Sequence, residues 1–222
     1  MGQLLAFDVY GTLIDTQGVI TALQTRIGDR AAAFSALWRD KQLEYSFRRG
    51  LMGRYRNFGV CTAQALDYCC ELLQVDFDEQ DKQALMACYA TLPAFADAET
   101  GLQRLQAQGV RMVAFSNGTA DAVAGLLAHA GIEHYFEDVV SVDEIGTFKP
   151  NPKVYQHLLT RCDQQASATW LISSNPFDVI GARAEGLRTV WVRRTPTAVF
   201  DAWEYAPERI VTELSALADA LD

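Results

Sequence analysis

Histidine is scarce in this chain. Three occur in 222 residues, His129, His134 and His157, and none lies in a stretch of catalytic character. Chemistry built on a histidine-centred triad is not expected, and each reads as a surface or packing residue. The five cysteines, at positions 61, 69, 70, 88 and 162, are an odd set with no CxxC pair. They read as reduced core residues. No apolar run approaches the ~18 residues of a membrane span. The apolar stretch at the N-terminus, Leu4 to Phe7, is too short for a signal peptide and an acid follows it at once. A cytoplasmic location is the expectation. Positive charge is short as well: 19 Lys and Arg against 28 Asp and Glu leave a formal charge of −9. That excludes nucleic acid as the main partner, and a membrane surface is not expected either. It also offers no long-range attraction to an anion, so any anion site must be locally basic.

What the chain has is ordinary globular composition, 50% apolar and 21% charged. The length suits one domain with a sizeable insert. Residues 3–8 read as a strand. From about residue 110, strand-like and helix-like stretches alternate: strands at 109–118, 136–142, 168–175 and 188–194, helices at 119–131, 151–162 and 176–186. Asn151 and Pro152 form a helix-start signal, and Gly186 a stop. This alternation predicts an α/β protein with a parallel sheet covered on both faces. Between residues 16 and 93 no strand pattern occurs. Helical spacing fills 17–27, 30–50, 61–74 and 79–91. The insert reads as a cap over the carboxyl ends of the strands, where open α/β sheets bind ligands. Pro93 and "FADAET" mark the return to the core.

Four loops follow predicted strands and carry reactive side chains: Asp8-Val9-Tyr10-Gly11-Thr12, Ser116-Asn117-Gly118-Thr119, Lys149-Pro150, and Ser173-Ser174-Asn175-Pro176-Phe177-Asp178. Each alone has a plain reading. D-x-x-G-T is a common turn, Ser-Asn-Gly-Thr can cap the next helix, and Lys-Pro is frequent on surfaces. Their order, one after each strand, gives them weight.

Taken together they resemble the haloacid dehalogenase superfamily, over essentially the whole chain. The resemblance implies a Rossmann-like core, residues 1–15 and 94–222, with an inserted helical cap, residues 16–93. Superfamily phosphatases resemble D-x-D at the first loop, its second Asp a general acid whose backbone carbonyl helps hold Mg²⁺, and G-D-x-x-x-D at the fourth. Here Tyr10 and Ser173-Ser174 stand at those places. "DVYGT", "SNGT", "KPNPKVY" and "SSNPFD" resemble instead the L-2-haloacid dehalogenase branch. "LWRDKQLEYSFRRGLMGRYRNF" (37–58) is similar to that branch's cap helix. Asp40 and Phe177 depart from it, where Gln and Trp are common, at positions expected near the substrate pocket.

The resemblance implies a role for each matched residue. Asp8 would attack the halogen-bearing carbon and form an ester. Arg39 would receive the halide, with Asn117 donating to it and Phe177 beside it. Ser116 and neighbouring backbone N–H groups would hold the substrate carboxylate. Lys149 would orient Asp8, and Thr12 and Ser173 would hydrogen-bond the carboxylates. Asp178, placed by Asn175 and Lys149, would be the general base. Tyr155 either packs in the core or sends its hydroxyl to the Lys149–Asp178 region. Tyr10, Leu43 and Phe58 would form an apolar lid. No metal or other cofactor is implied. The partners would be a short 2-haloacid and halide, with a homodimer favoured and Arg48, Arg49, Arg54 and Arg56 on a solvated or subunit-contacting face. Two competing readings are a Mg²⁺-dependent phosphatase of small phosphoesters and a non-catalytic binding domain on the same fold. Tyr10 and Ser174 argue against the first. The joint presence of Asp8, Arg39, Lys149 and Asp178 argues against the second.

Overall fold

The structure is a computed structural model. It describes residues 2–221, and Met1 and Asp222, the ends of the expected core, lie outside the described residues. Six strands form one parallel sheet: β1 (Leu4–Phe7), β2 (Arg111–Ser116), β3 (Asp138–Ser141), β4 (Thr169–Ser173), β5 (Arg188–Val192) and β6 (Arg209–Val211). Their order is β3-β2-β1-β4-β5-β6, a Rossmann-like arrangement. The central strands are short, nearly continuous apolar runs, as a sheet covered on both faces requires. Side chains alternate between two cores: Leu5, Phe7, Ala114 and Ile172 pack on one face, Leu4, Ala6, Phe115 and Leu171 on the other.

Between β1 and β2 run α1 (Gln17–Ile27), α2 (Ala31–Leu51), α3 (Phe58–Leu73), α4 (Glu79–Cys88) and α5 (Ala98–Ala107). The chain departs from β1 and returns along two segments that lie side by side. Asp15 N–H donates to the Pro93 carbonyl and Phe95 N–H to the Leu13 carbonyl, each at 2.9 Å. The remaining helices are α6 (Ala120–His129), α7 (Pro152–Arg161), α8 (Pro176–Ala184) and α9 (Leu217–Leu221). Capping follows the expected chemistry. Asn57, Asp78, Thr119 and Asn151 each accept a backbone N–H at the start of α3, α4, α6 and α7. Among the described residues no helix is long and apolar enough to cross a membrane. All five cysteines are free, four of them buried.

Three elements lie outside the sequence expectation: α5, β6 and the five-residue α9. Helix α5 buries Ala98, Gly101, Leu102 and Leu105, a helical face weakened as a signal by its small residues. β6 has three residues, of which Val211 alone is buried, too short for an alternating pattern. The start of α5 and the turn before α9 are fastened by one ion pair. Arg194 Nη1 donates to both oxygens of Asp97 at 2.8 and 2.7 Å, and its Nη2 donates to the Thr12 carbonyl at 2.6 Å. Asp97 also accepts the Leu214 N–H. One guanidinium thus joins the start of α5, the end of β5, the C-terminal turn and the loop after β1. Asp97→Ala would strand this half-buried cation and is expected to lower stability by about 2–4 kcal/mol, measured by urea unfolding.

Candidate active site

The site begins with strand register. Phe7 lies opposite Ala114 on β2 and Ile172 on β4. Asp8, one residue on, is therefore level with Phe115 and Ser173, at the carboxyl edge where the strand order reverses. Ligands of open α/β sheets bind at such a switch point. The chain turns at once: Leu13 and Ile14 N–H both donate to the Val9 carbonyl. Gly11 takes φ +81°, with Ser174 Oγ 3.4 Å from where a Cβ would stand.

Asp8 is nearly buried, and its two oxygens differ. Oδ2 accepts from Asn175 Nδ2 at 2.7 Å, Thr12 Oγ1 at 2.9 Å and Ser173 Oγ at 3.2 Å. Both hydroxyls are aimed by backbone donors: Ser174 N–H to Thr12 Oγ1 at 2.8 Å, and Asn175 N–H to Ser173 Oγ at 3.1 Å. Each hydroxyl proton is left for the carboxylate. Oδ1 faces Lys149 Nζ at 3.3 Å. Among the described residues it has no closer donor.

Lys149 comes from the turn before α7 and is 1% exposed. Its ammonium has three donors and three acceptors: Asp8, the Phe115 carbonyl at 2.8 Å and Asp178 Oδ2 at 2.7 Å. Asp178, in the first turn of α8, is fully buried and also accepts from the Tyr155 hydroxyl at 2.9 Å. Both readings of Tyr155 hold, since its ring packs edge-on against Phe115. Burial raises the Tyr155 pKa well above its usual range, with the Asp178 charge adding to the rise, so it remains a donor. Burial pushes Asp178 up to about 6. Lys149 opposes that rise, the Asp8 charge adds to it, and the Tyr155 hydrogen bond opposes it.

A cavity of about 20 Å³ opens beside Asp8. From the core it is lined by Ser116, Asn117, Lys149 and Asn175, and from the inserted helices by Arg39, Leu43 and Phe58. Tyr10 and Phe177 complete it. Every lining residue is one that the sequence singled out. Asn117 Oδ1 accepts the Lys149 N–H at 3.0 Å, which leaves its NH₂ free to donate elsewhere. Arg39 Nη2 lies 3.5 Å from Asn175 Oδ1, so Asn175 bridges the guanidinium and the carboxylate. Tyr10 is pushed up to about 12 by burial and by the nearby Tyr89, with Arg39 opposing. Phe177 stacks edge-on with Phe47 at 5.3 Å.

Two expectations need correction. Asp40 is exposed and lines none of the cavities described here, because on α2 it follows Arg39 by about 100° of helical turn. The Asn175 side chain holds Asp8, not Asp178. Asp178 meets Asn175 through its own N–H, which donates to the Asn175 carbonyl at 3.1 Å. The sequence also gave no role to Ser174 beyond that of a replacement. Its Oγ donates to the Gly11 carbonyl at 2.8 Å and, with its N–H on Thr12, ties the first loop to the fourth.

Fold and site together define a Rossmann-like α/β enzyme with a loop-borne aspartate at the switch point of its sheet. The family model for haloacid dehalogenase-like hydrolases matches residues 3–186, and the chain belongs to that family. It is 35% identical over 218 residues to the (S)-2-haloacid dehalogenase of Pseudomonas sp. (strain YL), covering 98% of this chain and 94% of that protein. It is 34% identical to haloacetate dehalogenase H-2 of Moraxella sp. (strain B), with 97% and 96% covered. Among solved structures, the L-2-haloacid dehalogenase of Xanthobacter autotrophicus with chloropropionic acid covalently bound superposes with a TM-score of 0.92. That pair shares 30% identity and covers 100% of this chain and 98% of the other.

The Asp178 environment gives a titration that can be read without turnover. Its carboxyl ¹³C signal is expected to titrate with a midpoint of about 6, to vanish in Asp178→Asn, and to move to higher pH in Tyr155→Phe. The sign for stability follows from a raised carboxylate. The proton-linked contribution is fully present below the unfolded-state pKa of ~4 and is lost as pH rises through about 6.

Proposed function

We propose that the protein hydrolyses short L-2-haloalkanoic acids to D-2-hydroxy acids through an ester on Asp8. The observation that carries this reading is the asymmetry of Asp8: three donors on Oδ2, and Oδ1 facing the cavity's cationic wall with Lys149 alone near it among the described residues. The names of the relatives support it. Oδ1 attacks the carbon that bears the halogen while the carbon–halogen bond breaks, and the halide leaves with the bonding pair toward Arg39. The substrate carboxylate rests on Ser116 and the neighbouring turn, with the Asn117 amide donating to the halide. Attack from the face opposite the halogen inverts the carbon.

The same asymmetry serves the second half. In the ester, Oδ2 is the carbonyl oxygen, and Thr12, Ser173 and Asn175 already surround it. Water adds at the Asp8 carboxyl carbon, giving a proton to Asp178, and the three donors stabilise the oxyanion. The bond from that carbon to Oδ1 then breaks, Oδ1 departs in the product, and Asp178 returns the proton to it. Ester formation removes the Asp8 charge, which is one of the causes raising Asp178. Asp178 is therefore more fully ionised when a base is needed.

The residues do not fit a divalent cation. Lys149 Nζ stands between the Asp8 and Asp178 carboxylates at 3.3 and 2.7 Å. Among the described residues no cluster of three or more His, Cys, Asp or Glu has metal-ligand geometry. No step is routed through a metal. Helices α1–α4 act as the lid, bringing Arg39, Leu43 and Phe58 over the sheet edge.

Halide release from L- and D-2-chloropropionate, with EDTA present, tests this. We expect release from the L form alone, and loss of roughly 10³-fold or more in Asp8→Asn. Release from both enantiomers, or turnover retained in Asp8→Asn, would overturn the mechanism. A single turnover in H₂¹⁸O is expected to place ¹⁸O in Asp8 and not in the product. The acid limb of ester hydrolysis is expected below about pH 6, because the ester lacks the Asp8 charge that helps to raise Asp178.

A further inference from the structure

A second cavity, of about 290 Å³, adjoins the reaction cavity of about 20 Å³. The two share Tyr10, Arg39 and Phe58. Beyond those residues the larger chamber is walled mainly by Val19 of α1, Met86 of α4, Tyr89 and Gly118. Its mouth carries Asn57, Gly59, Ala90 and Ala122, all exposed. It is thus a solvent-connected, largely apolar vestibule that reaches the reacting atoms past Tyr10 and Phe58.

We propose that this vestibule binds the apolar 2-substituent of longer-chain haloacids, and that Met86 and Tyr89 set the accepted length. The assignment rests on the haloacid reading of the neighbouring site. Three directions around the reacting carbon are committed there: Oδ1 of Asp8 on one side, the halide toward Arg39, Asn117 and Phe177, and the carboxylate toward Ser116. The remaining wall is Tyr10, Leu43 and Phe58. Two of those three residues also border the vestibule. The small cavity has no room for a longer alkyl chain, which must leave it through that wall. A groove of about 430 Å³ on the other side of α2 meets the small cavity at Lys149 and Phe177, which is the halide side. The vestibule wall is fixed in place. Tyr10 stacks edge-on against Tyr89 at 6.2 Å, Tyr89 against Trp38 at 5.5 Å, and Gln42 donates to the Tyr89 hydroxyl at 2.8 Å. Such a wall sets a limit on length and does not yield to it.

Each buried methylene is worth about fourfold in binding. The test compares L-2-bromohexanoate with L-2-chloropropionate in wild type, Met86→Trp and Ala90→Phe; the latter lies at the exposed mouth, away from the core. Both variants are expected to lose about tenfold or more in kcat/KM for the hexanoate and to stay within about twofold for the propionate. Equal losses on both substrates would show a mere passage, and no loss on either would show that chains do not enter; both overturn the proposal. Calorimetry of wild type with the unhalogenated acids keeps this separate from the haloacid reading. Hexanoate is expected to bind about tenfold or more tighter than propionate, an advantage removed in Met86→Trp. That result in a protein without halide release would retain the chamber and reject the haloacid chemistry. Equal affinities would reject the chamber.

Discussion

The ammonium of Lys149 is the point on which the site depends. It is buried beneath the sheet edge, with one carboxylate at 3.3 Å and another at 2.7 Å. A buried lysine is tolerated when its charge is matched and its three protons are accepted. Two acids and the Phe115 carbonyl do both. The reverse also holds, since two carboxylates this close would repel without the cation between them. The three side chains come from three different loops, and none is stable in this position alone. Their mutual need holds the loops after β1 and β4 and the turn before α7 in one arrangement, which Ser174, Thr12 and Asn175 then tighten.

That arrangement leaves one negative charge in excess over Lys149, and its distribution is uneven. Oδ2 of Asp8 is hydrogen-bonded three times and Oδ1 weakly. Asp178 is burdened by burial and by the Asp8 charge, and rises to about 6. An acid near neutrality and a less solvated carboxylate oxygen, on either side of one lysine, are the elements of a two-step displacement. The same pattern explains why Tyr10 belongs where related phosphatases resemble an acid. A third carboxylate there would add a charge that a single lysine cannot balance.

Much of this was legible in the chain. The alternating stretches after residue 110 predicted the parallel sheet because apolar runs and helix signals are local. The loops predicted the core side of the cavity because three of them follow a strand directly, and parallel strands carry such residues to one edge. What was not legible depended on distance in three dimensions. β6 is three residues long, and α5 shows a face of small side chains. The Asp40 expectation failed because adjacent residues on a helix face different ways. The partner of Asn175 was misjudged for a related reason: loop order says which residues converge, while the side-chain geometry says which pairs touch. The sharing of one guanidinium, Arg194, among four segments has no sequence signature at all.

Arg39 joins these two levels. It is borne by α2, far from the sheet in sequence order, yet its Nη2 lies 3.5 Å from Asn175 Oδ1, while Asn175 Nδ2 lies 2.7 Å from Asp8. One amide therefore joins the inserted helices to Asp8. On the proposed chemistry, a halide arriving at Arg39 and an ester forming at Asp8 both act on that amide. Arg39 and Asp8 are thus linked through a single side chain. The helices that close the site and the atoms that react within it are parts of one hydrogen-bonded unit.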